Sequence, residues 1–203
     1  MSATIMKQQS SISGNGFKDV LGELYQHAFT GVPGASDPFT LGILEREYTA
    51  LALAYYYRCE HCQQHHSDAI ERELRRARQP DWAWKQAIIK AVLFTRTTRR
   101  EISNAEWAAW SYEWLRFVRA IPLEYRDVPS YIGYAIGVAR HDEDLISFAW
   151  SAISSRHEEA QKLLGAVRDI ERVVLFMKAA TSENRTTPVI EMLLASRGVD
   201  VNS

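Results

Sequence analysis

The residue types able to do chemistry concentrate in one short run, Cys59-Glu60-His61-Cys62-Gln63-Gln64-His65-His66. Cys59 and Cys62 are the only cysteines of the 203-residue chain, and they stand three apart with an imidazole four residues beyond the second. On a helix those offsets place Cys59, Cys62 and His66 on one face. A thiol of ordinary pKa near 8.5 is only about 3% thiolate at pH 7, whereas a depression of ~1.5 units, worth ~2 kcal/mol, leaves it roughly half ionised. His66 and a helix N-terminus can together supply that depression. The same cluster offers soft ligands at short spacing, so a zinc site formed by Cys59, His61, Cys62, His65 and His66 is the rival chemistry. Because His61 points away from the face shared by Cys59, Cys62 and His66, a closed four-ligand site would need another segment or a second subunit.

The elements around this run decide what it can do. Glu47 offers a carboxylate that could relay protons, but it lies twelve residues before Cys59. On one straight helix that separation is ~18 Å, beyond any hydrogen bond, so Glu47 acts only if the chain turns back near Tyr57 or Arg58. Apolar recurrence at three and four, through Leu44, Tyr48, Leu51, Ala52 and Tyr55, predicts buried helix within 40–79. A short helix is expected over 17–29, before the Gly/Pro loop at 31–38, and another over 82–98 capped by Asp81. Ser103 with Glu106 forms a capping box opening a helix over 104–119, along which Trp107, Trp110, Trp114 and Phe117 share a face as core or subunit interface. Helix is expected again over 130–140 and, with a break somewhere, over 142–180. Thr187-Pro188 and Gly198 bracket a last short one. No segment shows sustained period-two alternation, so the chain reads as all-α.

Composition narrows the partners. Twenty-four Lys and Arg against twenty-five Asp and Glu give a net charge of −1, so no bulk field draws the protein to nucleic acid or to an anionic membrane. No apolar run approaches the ~20 residues a membrane span needs, and the first sixteen residues lack the apolar core of a signal peptide. A cytoplasmic location is therefore expected, where a close cysteine pair is catalytic or metal-binding more often than a structural staple. Residues 1–16 read as a mobile tail, and 17–203 as a single all-helical domain.

The pattern Glu47-x11-Cys59-x2-Cys62-x3-His66 resembles the motif of the AhpD-like alkylhydroperoxidases, a branch of the carboxymuconolactone decarboxylase superfamily. His61 matches a position that is commonly His in that branch. The similarity is specific over 47–66 and weaker over 40–120. It implies an AhpD-like all-α fold of about seven to nine helices, with a turn between the glutamate helix and the cysteine helix. It further implies that Cys62 is the peroxidatic cysteine, that Cys59 closes the disulfide, and that Glu47 and His66 relay protons. Carried over, the activity is reduction of a small hydroperoxide. Electrons come from a dithiol donor, a lipoyl group or a thioredoxin-like protein, with no bound metal or other cofactor, in a homo-oligomer. True decarboxylases of the superfamily lack the cysteine pair.

Three other readings stand beside this one: a non-catalytic zinc-binding or redox-sensing helical protein, a superfamily enzyme acting on a lactone with the thiols incidental, and two buried thiols that happen to share a helix face. His61 and His65 read more simply as solvated or hydrogen-bonded side chains, Glu47 as a surface neighbour of Glu45, and Arg96, Arg99 and Arg100 as a solvated helix end.

Overall fold

Two helices carry almost no outward polar face. Nine consecutive residues of one, Arg46 to Ala54, and ten of the other, Val128 to Gly137, are buried. A helix apolar or buried all round belongs inside other helices rather than on their surface. In the computed structural model, which describes residues 15–31, 38–78, 82–98, 103–157 and 159–196 (backbone alone for 15–18 and 183–196), these are α2 (Ile43–Tyr57) and α6 (Val128–Arg140). Around them run α1 (Asn15–Tyr25), α3 (Glu60–Ala77), α4 (Trp84–Thr97), α5 (Asn104–Arg119), α7 (Glu143–Ser154) and α8 (Ala160–Ser196). A π-helical turn, Gln26–Thr30, extends α1, and a 3-10 turn, Leu123–Tyr125, precedes α6. The eight α-helices, with no strand among the described residues, make the protein all-α with the expected helix number.

α2 packs against α3, α4, α6 and α8, and α6 against α4, α7 and α8. α5 joins them through its aromatic face. Trp107, Trp110 and Trp114 stack in series at 5.0 and 5.3 Å, and Phe148 of α7 meets Trp110 edge-on at 5.2 Å. Phe94 of α4 meets Trp114 and Phe117 at 5.7 and 5.5 Å. Trp114 and Phe117 are thus core within this chain, at 2% and 7% exposure, while Trp107 and Trp110 are half-buried.

Local signals explain some boundaries well. At α5 both halves of the capping box form: Glu106 N–H donates to Ser103 Oγ at 3.3 Å, and Ser103 N–H donates to Glu106 Oε2 at 2.8 Å. The expected break in 142–180 falls at 155–159, between α7 and α8. Other boundaries differ from expectation. The N-cap of α4 is Ala83, with no side-chain cap, and Asp81 lies outside the described residues. The backbone runs helical through 187–188 as part of α8, so the Thr187-Pro188 start signal opens no separate helix; Gly198 lies outside the described residues, as do residues 1–14 of the expected tail. No helix among the described residues is long and apolar enough to cross a membrane.

Candidate redox site

The site depends on a reversal of the chain between α2 and α3. Arg58 ends α2 in the left-handed region, at φ 59° and ψ 40°. Its N–H donates to Tyr55 O at 3.2 Å, and the next N–H, of Cys59, donates to Ala54 O at 3.0 Å. This pair of bonds is the Schellman arrangement, in which two orphan carbonyls of a helix end are satisfied while the chain turns away. Glycine usually holds the left-handed position because it lacks a Cβ; here an arginine does. Cys59 then returns to extended geometry as the N-cap of α3, and its sulfur accepts the N–H of Cys62 at 3.3 Å. Arg96 of α4 secures the same corner, donating to the carbonyls of Tyr55 and Tyr56 at 3.1 and 3.2 Å. It therefore does more than solvate a helix end, while Arg99 and Arg100 lie outside the described residues.

The turn makes α2 and α3 an antiparallel pair and carries Glu47 to the cysteine helix. Glu47 and His66, nineteen residues apart, meet with Oε2 2.7 Å from Nδ1, and both are buried, at 2% and 1% exposure. An ionised carboxylate has only acceptors, so His66 donates from Nδ1–H and keeps Nε2 for another partner. This contact distinguishes Glu47 from Glu45, which is only half-buried and has no such contact. Cys59 and Cys62 are joined by a disulfide across the first turn of α3, with Cα atoms 5.3 Å apart and each residue 5% exposed. Cys62 and His66 follow one another at i and i+4 on the buried side of the same helix.

Aromatic rings enclose the pair. Phe29 of the π-helical turn lies 5.6 Å from the His66 ring and Phe176 of α8 lies 6.3 Å from it, while Tyr25 packs on both phenyl groups at 5.1 and 5.6 Å. Burial, and then the Glu47 carboxylate, push the Tyr25 phenol above its ordinary value. Burial, and then the adjoining His66, hold the His65 imidazole below its own. His65 contacts Tyr25 and His66 edge-on, whereas His61 is exposed on the first turn of α3. The structure thus brings Glu47, His66, Cys59 and Cys62 onto one hairpin and leaves His61 on its outside. Tyr55, Tyr56 and Tyr57 are all half-buried beside the turn.

Sequence reading missed Arg46. It is buried, and it donates from one guanidinium nitrogen to the carbonyls of Ala28 and Phe29, both at 3.0 Å, with its face over the Phe39 ring at 3.5 Å. It thereby ties the π-helical turn, and so Phe29, to the segment that carries Glu47. Asp169 of α8, also buried, accepts the N–H groups of Thr40 and Leu41 at 2.7 and 2.9 Å and fixes the entry to α2. An arginine inside a helical pattern reads as a surface residue, and nothing local marks this one as buried.

No protein-family model matches the chain, and no curated protein or solved structure does.

Proposed function

We propose that the protein is a thiol-dependent oxidoreductase of the alkylhydroperoxidase type, cycling Cys59 and Cys62 between dithiol and disulfide. The observation that carries this reading is the combination of a Cys59–Cys62 disulfide at the start of α3 with the buried Glu47–His66 contact one turn along the same helix. In the reduced protein His66 takes the Cys62 proton, and the helix N-terminus favours the thiolate left behind. The thiolate attacks the distal oxygen of a hydroperoxide, breaking the O–O bond. Sulfur becomes a sulfenic acid, and the alkoxide leaves as an alcohol after taking up a proton. Cys59 then attacks that sulfur, the disulfide closes and water departs. A dithiol donor, of lipoyl or thioredoxin type, returns two electrons and two protons by exchange through a mixed disulfide. Cys62 as attacker and Cys59 as resolver follow from the resemblance to the AhpD-like branch.

The test is peroxide consumption coupled to dithiol oxidation, with the mass of the intact chain followed before and after peroxide. The reduced protein should lose two mass units on forming the disulfide and turn over many equivalents of peroxide. Cys62→Ser should abolish both effects, and Glu47→Gln should slow turnover while leaving the disulfide able to form. Full activity in Cys62→Ser would sink the reading. The same Cys59–Cys62 disulfide also fits a second reading, a thiol switch that is oxidised once and acts by its change of state. Stoichiometric oxidation without turnover selects it, and one equivalent of zinc on the reduced chain selects its metal-binding form.

A further inference from the structure

Glu47 is held by His66 and also borders a cavity of about 270 Å³. Tyr25 and Phe29 wall that cavity on one side, Ile43 and Ala69 on another, and the exposed Arg72 and Arg76 open it to solvent. Cys62, His66, Ala69, Glu73 and Arg76 follow one face of α3 in that order. The Glu47–His66 pair therefore lies between the disulfide and the cavity. Cys62 and Ala69 are seven residues apart, ~10 Å along the helix, whereas displacement at oxygen needs reacting atoms within about 3–3.5 Å. A peroxide seated in the cavity could not reach the sulfur.

Water fits the space. A molecule takes about 30 Å³ in the liquid and needs two to four polar partners, and Glu47, Tyr25, Thr30 and Arg72 border the cavity. We propose that the cavity is a hydrated port that keeps the Glu47 carboxylate ionised and passes protons between solvent and the buried pair. The Cys62 S–H proton goes to His66 Nε2, and the imidazolium so formed keeps its Nδ1–H on the Glu47 carboxylate, while the water of the cavity exchanges protons between that carboxylate and solvent. The balance is one thiol and one neutral imidazole converted to one thiolate and one imidazolium. This inference rests on the reading of Cys62 as the nucleophile. The titratable and charged groups facing the pair are Tyr25 from α1, Arg46 from α2, and His65, Arg72, Glu73 and Arg76 from α3; α8 presents the Phe176 ring, with Asp169 beyond Arg46.

Filling the cavity dries the carboxylate and disfavours its charged form, so the imidazolium and the thiolate lose support in turn. The test compares Ala69→Leu and Ile43→Phe with the parent and with Ala69→Ser, each checked for parental helicity by circular dichroism. Iodoacetamide alkylation of the reduced chains is followed against pH, and kcat and KM are measured for hydrogen peroxide and cumene hydroperoxide. In the filled variants the alkylation midpoint should rise by about one pH unit, and kcat/KM at pH 7 should fall by the same factor, up to about tenfold, for both peroxides. Ala69→Ser should behave as the parent. An unmoved midpoint would overturn the port, and so would a KM increase confined to the bulkier peroxide, which would make the cavity the peroxide's own seat. A shifted midpoint in a chain that turns over no peroxide keeps the port and removes the peroxidase reading; turnover with an unmoved midpoint does the reverse.

Discussion

The Glu47–His66 contact should be measurable as a coupling energy. Both residues are at least 98% buried, the contact is 2.7 Å, and it joins α3 to α2 below the turn, where Gln63 Nε2 also donates to Ala54 O at 3.4 Å. Glu47→Ala leaves the His66 Nδ1–H without its acceptor, at a cost of about 2–3 kcal/mol, softened by the neighbouring cavity from which water can enter. His66→Ala removes a ring packed against Phe29 and Phe176 and leaves a buried carboxylate unpaired, so about 3–5 kcal/mol is expected. In the double variant neither partner is stranded. Its loss should fall short of the sum by about 1.5–3 kcal/mol, the range of a charge-assisted hydrogen bond. For a chain of 203 residues, each kcal/mol moves Tm by about 2–4 °C, so Glu47→Ala should melt about 4–12 °C lower. The assay is urea denaturation followed by far-ultraviolet circular dichroism at pH 7 with the disulfide intact, and Glu45→Ala as control, expected within about 0.5 kcal/mol of the parent. A coupling below about 0.5 kcal/mol, the usual scatter of independent sites, would refute the reasoning that this bond joins the two helices.

The turn and the cap give two further predictions. Arg58 sits at φ 59° and makes the turn without the glycine that normally holds it, so Arg58→Gly should leave stability unchanged or raise it by up to about 1 kcal/mol, while the β-branched Arg58→Val should lower it by about 1–2 kcal/mol. Denaturation midpoints of the two variants check this, and equal midpoints would contradict it. Cys59→Asp should improve the N-cap of α3 by about 0.5–2 kcal/mol relative to the reduced parent, because a carboxylate accepts an N–H far better than sulfur does, and it should abolish the disulfide. Thermal melting under reducing conditions is the measurement, and a lower Tm than the reduced parent would count against it.

What could be read from the sequence follows from the range of each signal. The capping box of α5 lies within four residues, so its start was legible, and the stripe from Trp107 to Phe117 gave the buried face of that helix. The partners of the stripe, Phe94 and Phe148, could not be read, since they come from other helices. The reversal at Arg58 was required by the motif but invisible in the letters, because an arginine stands where glycine would have announced it. The π-helical turn had no local mark either. The bonds from Arg46 to the carbonyls of Ala28 and Phe29 come from α2, eighteen and seventeen residues further along the chain. The Thr187-Pro188 signal misled because a start signal is only a preference, and the backbone there continues α8.

A second turn separates what the fold asks of this corner from what chemistry adds. α6 ends at His141, also left-handed at φ 58°; His141 N–H bonds Val138 O and Asp142 N–H bonds Gly137 O, and Asp142 caps α7 from an extended conformation. Position for position this is the corner at Arg58 and Cys59, with Gly137 in the place of Ala54. At that corner the capping atom is Asp142 Oδ1, accepting Leu145 N–H at 3.1 Å, and Arg140 pairs with the same carboxylate at 2.9 Å. Where the first hairpin has Cys62, the second has Leu145; where it has His66, the second has Ala149; where it has Glu47, the second has Ser130. The same tight reversal is therefore built without a thiol, and with no imidazole or carboxylate at the positions equivalent to His66 and Glu47, its own buried carboxylate, Asp142, serving as the cap. Packing and capping do not account for these four side chains at the first turn, where sulfur is the poorer cap and the carboxylate needs a partner to be buried at all. Their presence together, on a hairpin that also borders a cavity at Glu47, is the physical argument for the reaction proposed at this corner.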